Sequence, residues 1–184
     1  MNFYFTEFPV LTSSRLQLVQ IDETHLHDIF EIFSNENVVC YYNVEQLRTL
    51  EDAKPIVDWF TLKFNDKKGL RWGIMLKGES KIIGTIGINT FTWGHKGVIG
   101  YDLNAGYWNN GYMNEAINAV VQFGFEAFGL ARIEAEVMPG NMGSEKVLLK
   151  SGFEYEGTLR RTLYWNGRWY DMQMYSILNP AIVV

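Results

Sequence analysis

The chain has 184 residues, a formal net charge of −5, and a composition that is 47% hydrophobic and 15% aromatic. This length and apolar content exclude a disordered chain and predict one domain over residues 1–184, with its core over about residues 9–179. No run of Lys or Arg exceeds two residues, which argues against direct nucleic-acid binding.

The single cysteine, Cys40, excludes an internal disulfide framework, and three scattered histidines give no spacing suited to a metal site. The first residues lack the charged and apolar regions of a signal peptide, and no apolar run reaches membrane-spanning length. We therefore expect no bound metal, no membrane contact and a cytoplasmic location. An oligomer is compatible with the sequence.

The first half of the chain alternates between patterns typical of strands and of helices. Strand patterns cover residues 15–21, 71–76, 81–88 and 97–103. Apolar residues at helical spacing predict helices over residues 24–34 and 50–64. A hairpin turn at residues 77–80 should join the second and third strands.

Residues 107–128, the most informative stretch, predict a loop that leads into an amphipathic helix. Its apolar residues recur at helical spacing: Met113, Ala116, Ile117, Val120, Gly124 and Phe128. The start of a helix presents unpaired N–H groups at the positive end of the helix dipole, which makes it a ready site for phosphate. An ordinary capped core helix explains the same residues, and this pattern alone does not decide between the two.

The remaining elements are a strand over residues 133–137, a helix over 141–151 and a hairpin of strands 154–164 and 170–178. Gly152 should close the helix in a left-handed conformation, and Asn166-Gly167 is typical of a type I′ turn. The predicted order of elements is therefore β-α-α-β-β-β-α-β-α-β-β.

Several segments carry a family resemblance. One pattern, Asn-x-x-Ser followed by an apolar residue, Lys-x-Gly-Phe, matches at Asn141, Ser144, Val147, Lys150, Gly152 and Phe153. With the loop at 108–113, it resembles the Gcn5-related N-acetyltransferase (GNAT) superfamily. Segments Leu11–Leu18, Gly157–Arg160 and Asn166–Asp171 resemble its branch that acetylates ribosomal-protein N-termini, the RimJ/RimL-like branch.

The resemblance implies an α+β fold, with a mixed, mostly antiparallel central sheet flanked by helices and strands splayed at the acetyl-CoA site. It implies transfer of acetyl from acetyl-CoA, as cosubstrate, directly to a primary amine in a ternary complex. The loop would hold the pyrophosphate through the backbone amides of Trp108, Asn109, Asn110, Gly111, Tyr112 and Met113.

Three loop residues depart from the family pattern. Gly111 matches the family glycine, but Trp108 replaces Gln or Arg and Asn109 replaces a frequent Gly. Met113 stands where the family has a small residue, so its side chain could crowd the helix start.

The resemblance also suggests candidate catalytic groups. The backbone N–H of Leu103, in the strand before the loop, would polarise the thioester carbonyl and contact the cosubstrate. Many members use a Tyr at the position of Leu148 to protonate the departing thiolate, so that acid is absent here. Ser144 would stabilise the thiolate instead, or would simply lie in the first turn of its helix. Asn141 would cap that helix, contact the cosubstrate, or both.

A general base is harder to assign. Related sequences often have Glu at the position of Val98, and Asp102 on the same strand could order a water or be a charge at the rim. An α-amine has an intrinsic pKa of about 8 and needs little help to be neutral, whereas a lysine ε-amine near 10.4 needs more. The missing Glu therefore favours an α-amine acceptor.

Six aromatic residues fall near the expected acceptor groove, where they would form either its wall or part of the core: Tyr41, Tyr42, Trp72, Trp93, Tyr164 and Trp165. The leading acceptor is the N-terminus of a ribosomal or other protein, and a polyamine or aminoglycoside-like molecule comes second. The rival from another class is a catalytically idle acyl-CoA-binding module.

Overall fold

The computed structural model describes residues 7–182, so most of the segment from which we predict the lack of a signal peptide lies outside the described residues. The strands are β1 Leu11–Thr12, β2 Leu16–Gln20, β3 Leu70–Leu76, β4 Ile82–Thr92, β5 Lys96–Leu103, β6 Arg132–Val137, β7 Glu154–Trp165 and β8 Arg168–Leu178. The α-helices are α1 Leu26–Phe33, α2 Glu36–Val39, α3 Ala53–Asn65, α4 Tyr112–Phe128 and α5 Met142–Lys150. Short 3₁₀ turns precede α1, α3 and the loop before α4.

The predicted order of elements is confirmed, with two short additions. The sequence patterns missed β1 and α2, which have two and four residues. Elements this short contain less than one full hydrophobic period, so periodicity cannot reveal them. Gly152 has φ +85°, and Asn166 and Gly167 both have positive φ across a two-residue turn that joins Trp165 to Arg168, as a type I′ turn requires.

All strands form one sheet, in the order β1-β2-β3-β4-β5-β6-β8-β7. Every neighbouring pair is antiparallel except β5 and β6, which are parallel. Their ladder begins at Lys96 and Arg132 and ends at Ile99 and Ala135, although both strands continue beyond it. The mixed, mostly antiparallel sheet and the strands that part at its centre agree with the predicted fold.

Helices cover both faces of the sheet. On one face, the buried stripe of α4 and Leu148 of α5 pack with the large strand residues Trp72 and Ile86. On the other face, α1 and α3 form a second cluster that includes Phe33 and Phe60. The predicted stripe of α4 is buried throughout, and its apolar face therefore holds the start of the helix against the sheet.

Two further findings limit the chemistry to consider. Within residues 7–182, no helix is long and apolar enough to cross a membrane. Over the same part of the chain, no three His, Cys, Asp or Glu side chains group as metal ligands would. Cys40 is exposed and forms no disulfide.

Candidate active site

The loop before α4 presents a run of free backbone amides. Asn109 and Gly111 both adopt left-handed backbone conformations, with φ +62° and +76°, and Gly111 immediately precedes the helix. Among the residues that the structure describes, the backbone N–H groups of residues 109–114 have no hydrogen-bond acceptor, and Glu115 is the first whose N–H is bonded, to Gly111. Six consecutive free donors at a helix start make a site for an anion such as a phosphate.

The departures from the family pattern leave this site open. Met113 is only 6% exposed and packs in the core below the sheet, so its side chain does not crowd the loop. The indole Nε1 of Trp108 donates to the carbonyl of Leu103 at 2.7 Å and ties the loop to the end of β5. A Cβ on Gly111 would meet nothing closer than a guanidinium nitrogen of Arg15, at 3.6 Å.

Glu115, in the first turn of α4, clamps the β1–β2 turn against the loop. Its carboxylate accepts hydrogen bonds from the hydroxyls of Ser13 and Ser14, and from the backbone N–H and Nε of Arg15. Arg15 also donates to the carbonyl of Asn110 at 3.0 Å. Burial alone would raise the pKa of Glu115, but these hydrogen bonds lower it to about 2. The Leu11–Leu18 segment thus holds the loop, a role that its sequence pattern does not indicate.

The end of β5 turns backbone groups toward the gap beside β6. The carbonyl of Leu103 accepts from Trp108 rather than from β4. In an antiparallel pair the N–H and C=O of one residue point to the same side, so the N–H of Leu103 also faces away from β4. Because the β5–β6 ladder has ended by this point, the amide faces the space between the two strands.

The start of α5 brings Ser144 to a tyrosine of β5. Asn141 caps the helix, since its Oδ1 accepts from the backbone N–H of Ser144 at 3.1 Å. The Ser144 hydroxyl lies 2.7 Å from that of Tyr101, and either can be the donor. Burial raises the pKa of Tyr101 above 10, so its phenol stays protonated at neutral pH. Tyr101 is not among the predicted site residues, although its strand position two residues before Leu103 places both side chains on one face.

Asp102 points to the opposite face of the sheet and is buried. Its side chain is 3% exposed and pairs with Arg71 at 2.6 Å, also 3% exposed. Thr85 donates to the same carboxylate through its backbone N–H and its hydroxyl. Burial raises the pKa of Asp102, and the adjacent guanidinium opposes that rise. The alternative that Asp102 is a charge at the rim is therefore wrong, because rim charges are solvated.

Arg71 reaches Asp102 by crossing β4 from β3. A Cβ on Gly87 would come within 2.8 Å of the arginine Cδ, so glycine leaves the room for this path. The guanidinium donates to Thr85, Asn89, the carbonyl of Gly100, Asp102 and Tyr42. All five N–H groups of the fork are therefore used.

A cavity of about 490 Å³ lies next to this network. Its walls are the end of α2 with residues 42–48, Met138 directly after β6, and the β7–β8 turn. We call it the acceptor cavity. Of the six predicted aromatics, only Tyr42 and Trp165 line it. Trp72 is fully buried and Trp93 packs on Phe128. Tyr41 and Tyr164 are exposed and are not among the residues that line the cavity.

Comparison with known proteins gives consistent matches over most of the chain. The family model described as "Acetyltransferase (GNAT) domain" matches residues 15–154. An uncharacterized N-acetyltransferase of Bacillus subtilis, YoaA, is 41% identical over 174 residues, which is 94% of this chain and 98% of the relative. The [ribosomal protein uS5]-alanine N-acetyltransferase of Escherichia coli is 29% identical over 111 residues, 59% of this chain and 57% of that protein.

A solved structure repeats the fold. RimJ of Mycobacterium smegmatis, in complex with CoA-disulfide, aligns with a TM-score of 0.84 at 22% identity, and the match covers 95% of this chain and 89% of that one. At this identity the likeness shows the shared architecture.

Proposed function

This chain belongs to the GNAT acetyltransferase family, and from that premise we propose that its acceptor is a protein N-terminal α-amine. The chain is an acetyl-CoA-dependent N-acetyltransferase, and acetyl-CoA is its cosubstrate. The rival expectation, a catalytically idle acyl-CoA-binding module, is therefore wrong. A cytoplasmic location, where acetyl-CoA and newly made proteins meet, is part of the proposal.

The free amides of residues 109–114 are the groups that would bind the pyrophosphate. Gly111 keeps the loop in a conformation that other residues rarely adopt, and the clamp around Glu115 holds it in place. Asn141 contributes by fixing the start of α5. We assign binding to the backbone amides of residues 109–114, which have no other partner among the described residues, and not to the side chains of Trp108 and Asn109. The N–H of Trp108, which was predicted to belong to this set, donates to the carbonyl of Ala105 at 3.3 Å and is not free.

Transfer then needs three events in the gap between β5 and β6. The nitrogen lone pair of a neutral amine forms a bond to the thioester carbonyl carbon, and the Leu103 N–H donates to the oxyanion that develops. The C–S bond breaks, and the Ser144 hydroxyl donates to the departing thiolate. The proton of the amine leaves to water, since the position of the missing family Glu is Val98 and Asp102 is held in an ion pair.

We propose that the acceptor cavity binds the amine substrate. Met138, the residue directly after β6, lines the cavity, and we therefore propose that the acceptor amine enters the gap between β5 and β6 from this side. An α-amine with a pKa of about 8 is partly neutral at pH 7 without a base. The E. coli relative is named a [ribosomal protein uS5]-alanine N-acetyltransferase, which supports a protein amine as acceptor.

A small-molecule amine is the second candidate, because the volume of the acceptor cavity lies in the range of small-ligand sites. A panel of N-terminal peptides, polyamines and aminoglycosides separates the two when CoA release and product mass are measured together. We expect turnover with peptides that carry a free α-amine, and none when that amine is blocked. Turnover with polyamines or aminoglycosides alone would contradict the proposal.

A further inference from the structure

The buried ion pair between Arg71 and Asp102 has no part in the reaction steps described above. Both side chains are 3% exposed and their charged atoms lie 2.6 Å apart. Removing two charges from water costs about as much as their attraction returns, so a buried pair is a poor device for stability alone. Its contacts indicate another role.

On one side, the pair holds the end of β5 that extends beyond its ladder with β6. Asp102 belongs to this end, and Arg71 donates to the carbonyl of Gly100 at 3.0 Å. Gly100 is the first residue of β5 beyond its ladder with β6. The guanidinium therefore fixes two positions on the part of the strand that carries Leu103.

On the other side, the pair holds a wall of the acceptor cavity. Nη2 of Arg71 donates to the Tyr42 hydroxyl at 2.9 Å and to Asp102. Tyr42 is the member of this network that lines the cavity. It lies on the segment after α2, and its hydrogen bond from Arg71 joins that segment to the sheet.

We propose that Arg71 and Asp102 are positioning residues that set the Leu103 end of β5 against the Tyr42 wall of the acceptor cavity. The distance between the carbonyl to be attacked and the attacking amine is then fixed by one side chain that bonds to both elements. This inference rests on the proposed site, but it holds for any amine acceptor. A displacement of about 1 Å between reacting groups can cost about 100-fold in rate, so such a device has a measurable effect.

The test compares Asp102→Asn with Glu134→Gln. Glu134 is a matched control, because its carboxylate is also mostly buried and ion-paired, to Lys96 and Arg132, but at the end of β5 and β6 where the ladder is intact. Asp102→Asn should lower kcat by about 10- to 100-fold with the best acceptor of the panel. The KM for acetyl-CoA should stay at its wild-type value, because the phosphate loop is untouched. Glu134→Gln should lose stability without losing kcat.

Two more variants separate geometry from charge and from folding. Arg71→Lys keeps the charge but offers one nitrogen where five directed N–H groups are needed, so it should lose kcat as Asp102→Asn does. Thr85→Val keeps both charges and nearly the same shape, and it removes a hydroxyl that bonds to both partners. It should fold and lose about 3- to 10-fold in kcat. The pH inflection should be that of the acceptor amine in every variant.

Three results would overturn the inference. Wild-type kcat in folded Asp102→Asn and Thr85→Val would mean that the pair is structural only. Full activity of Arg71→Lys would mean that charge, and not position, matters. An inflection shared by acceptors of different pKa and displaced in Asp102→Asn would make Asp102 a general base. If wild type acetylates polyamines and no peptide, the proposed acceptor fails while this comparison proceeds with the polyamine.

Discussion

The direction of one hydroxyl governs how Ser144 can act on a departing thiolate. A serine hydroxyl is a weak acid, so its contribution is a hydrogen bond whose hydrogen must face the sulfur. Tyr101 lies 2.7 Å away, and when it donates to Ser144 Oγ the serine hydrogen is free to turn to the cosubstrate. Burial keeps Tyr101 protonated and thus able to donate.

Ser144→Ala should lower kcat by about 10- to 100-fold and leave the affinity for acetyl-CoA near wild type. Tyr101→Phe should lower kcat less, by about 3- to 10-fold, because the serine hydroxyl remains but is not oriented. The double variant should be no slower than Ser144→Ala, since Tyr101 acts through Ser144. Steady-state kinetics with thermal unfolding of each variant measures this. A stability loss with unchanged kcat would show that Ser144 serves the helix start alone, and additive losses would separate the two hydroxyls.

At the scale of elements, the loop and the first turn of α4 form one binding unit. The left-handed Gly111 turns the chain into the helix, the buried Met113 fixes the first turn to the core, and Glu115 ties it to the β1–β2 turn. The loop amides are thus held in place before any ligand arrives, which lowers the entropic cost of binding.

Gly111→Asp should remove most of the rise in Tm that acetyl-CoA gives the wild type, because its carboxylate would occupy the anion site. Any residue other than glycine is strained at φ +76°, so Gly111→Ala is the control for strain, and the nearest atom at 3.6 Å leaves room for its Cβ. We expect the alanine variant to be less stable than wild type yet to keep most of the ligand-induced shift. Equal shifts in the two variants would place the phosphate elsewhere.

Glu115 should make stability depend on pH in the acid range. Its pKa falls from 4.5 to about 2 on folding, so its contribution is complete above the unfolded value and is lost as the pH falls toward 2. Glu115→Gln should therefore cost on the order of 2 kcal/mol at pH 6, and the difference from wild type should shrink between about pH 4.5 and 2. Urea unfolding across this range measures it, with Glu126→Gln on the exposed side of α4 as the control. A difference that does not change with pH would refute the clamp.

At the scale of the whole molecule, the sequence predicted the helices, strands and turns that have a periodic or local signal. It did not predict the features that arise from contacts between distant segments of the chain. Helical and strand periods gave the order of elements and the buried stripe of α4, and local turn chemistry gave Gly152 and Asn166-Gly167. The end of the β5–β6 ladder between Ile99 and Gly100 has no local signal, because it arises from how two separate strands diverge. The family resemblance alone indicated it.

The same limit explains the site residues. Trp108 through Met113 and Ser144 lie in recognisable motifs, whereas Tyr101, Arg71 and the Arg15–Glu115 clamp act through partners 31 to 100 residues away. Asp102 was singled out as a possible water-ordering group, but only the structure shows that Arg71 and Thr85 bind its carboxylate. A charged residue in a strand gives no sign of the partner that neutralises it.

Acetylation of an α-amine by this molecule is tested most directly with a peptide that carries two competing amines. The peptide would carry a free N-terminus and one internal lysine, and the site of acetylation would be found by fragment mass spectrometry from pH 7 to 9. We predict acetylation of the N-terminus across the range, with a rate that rises toward a plateau above about pH 8 as the α-amine becomes neutral. Acetylation of the lysine in preference to the N-terminus, or of both at equal rates, would contradict the account.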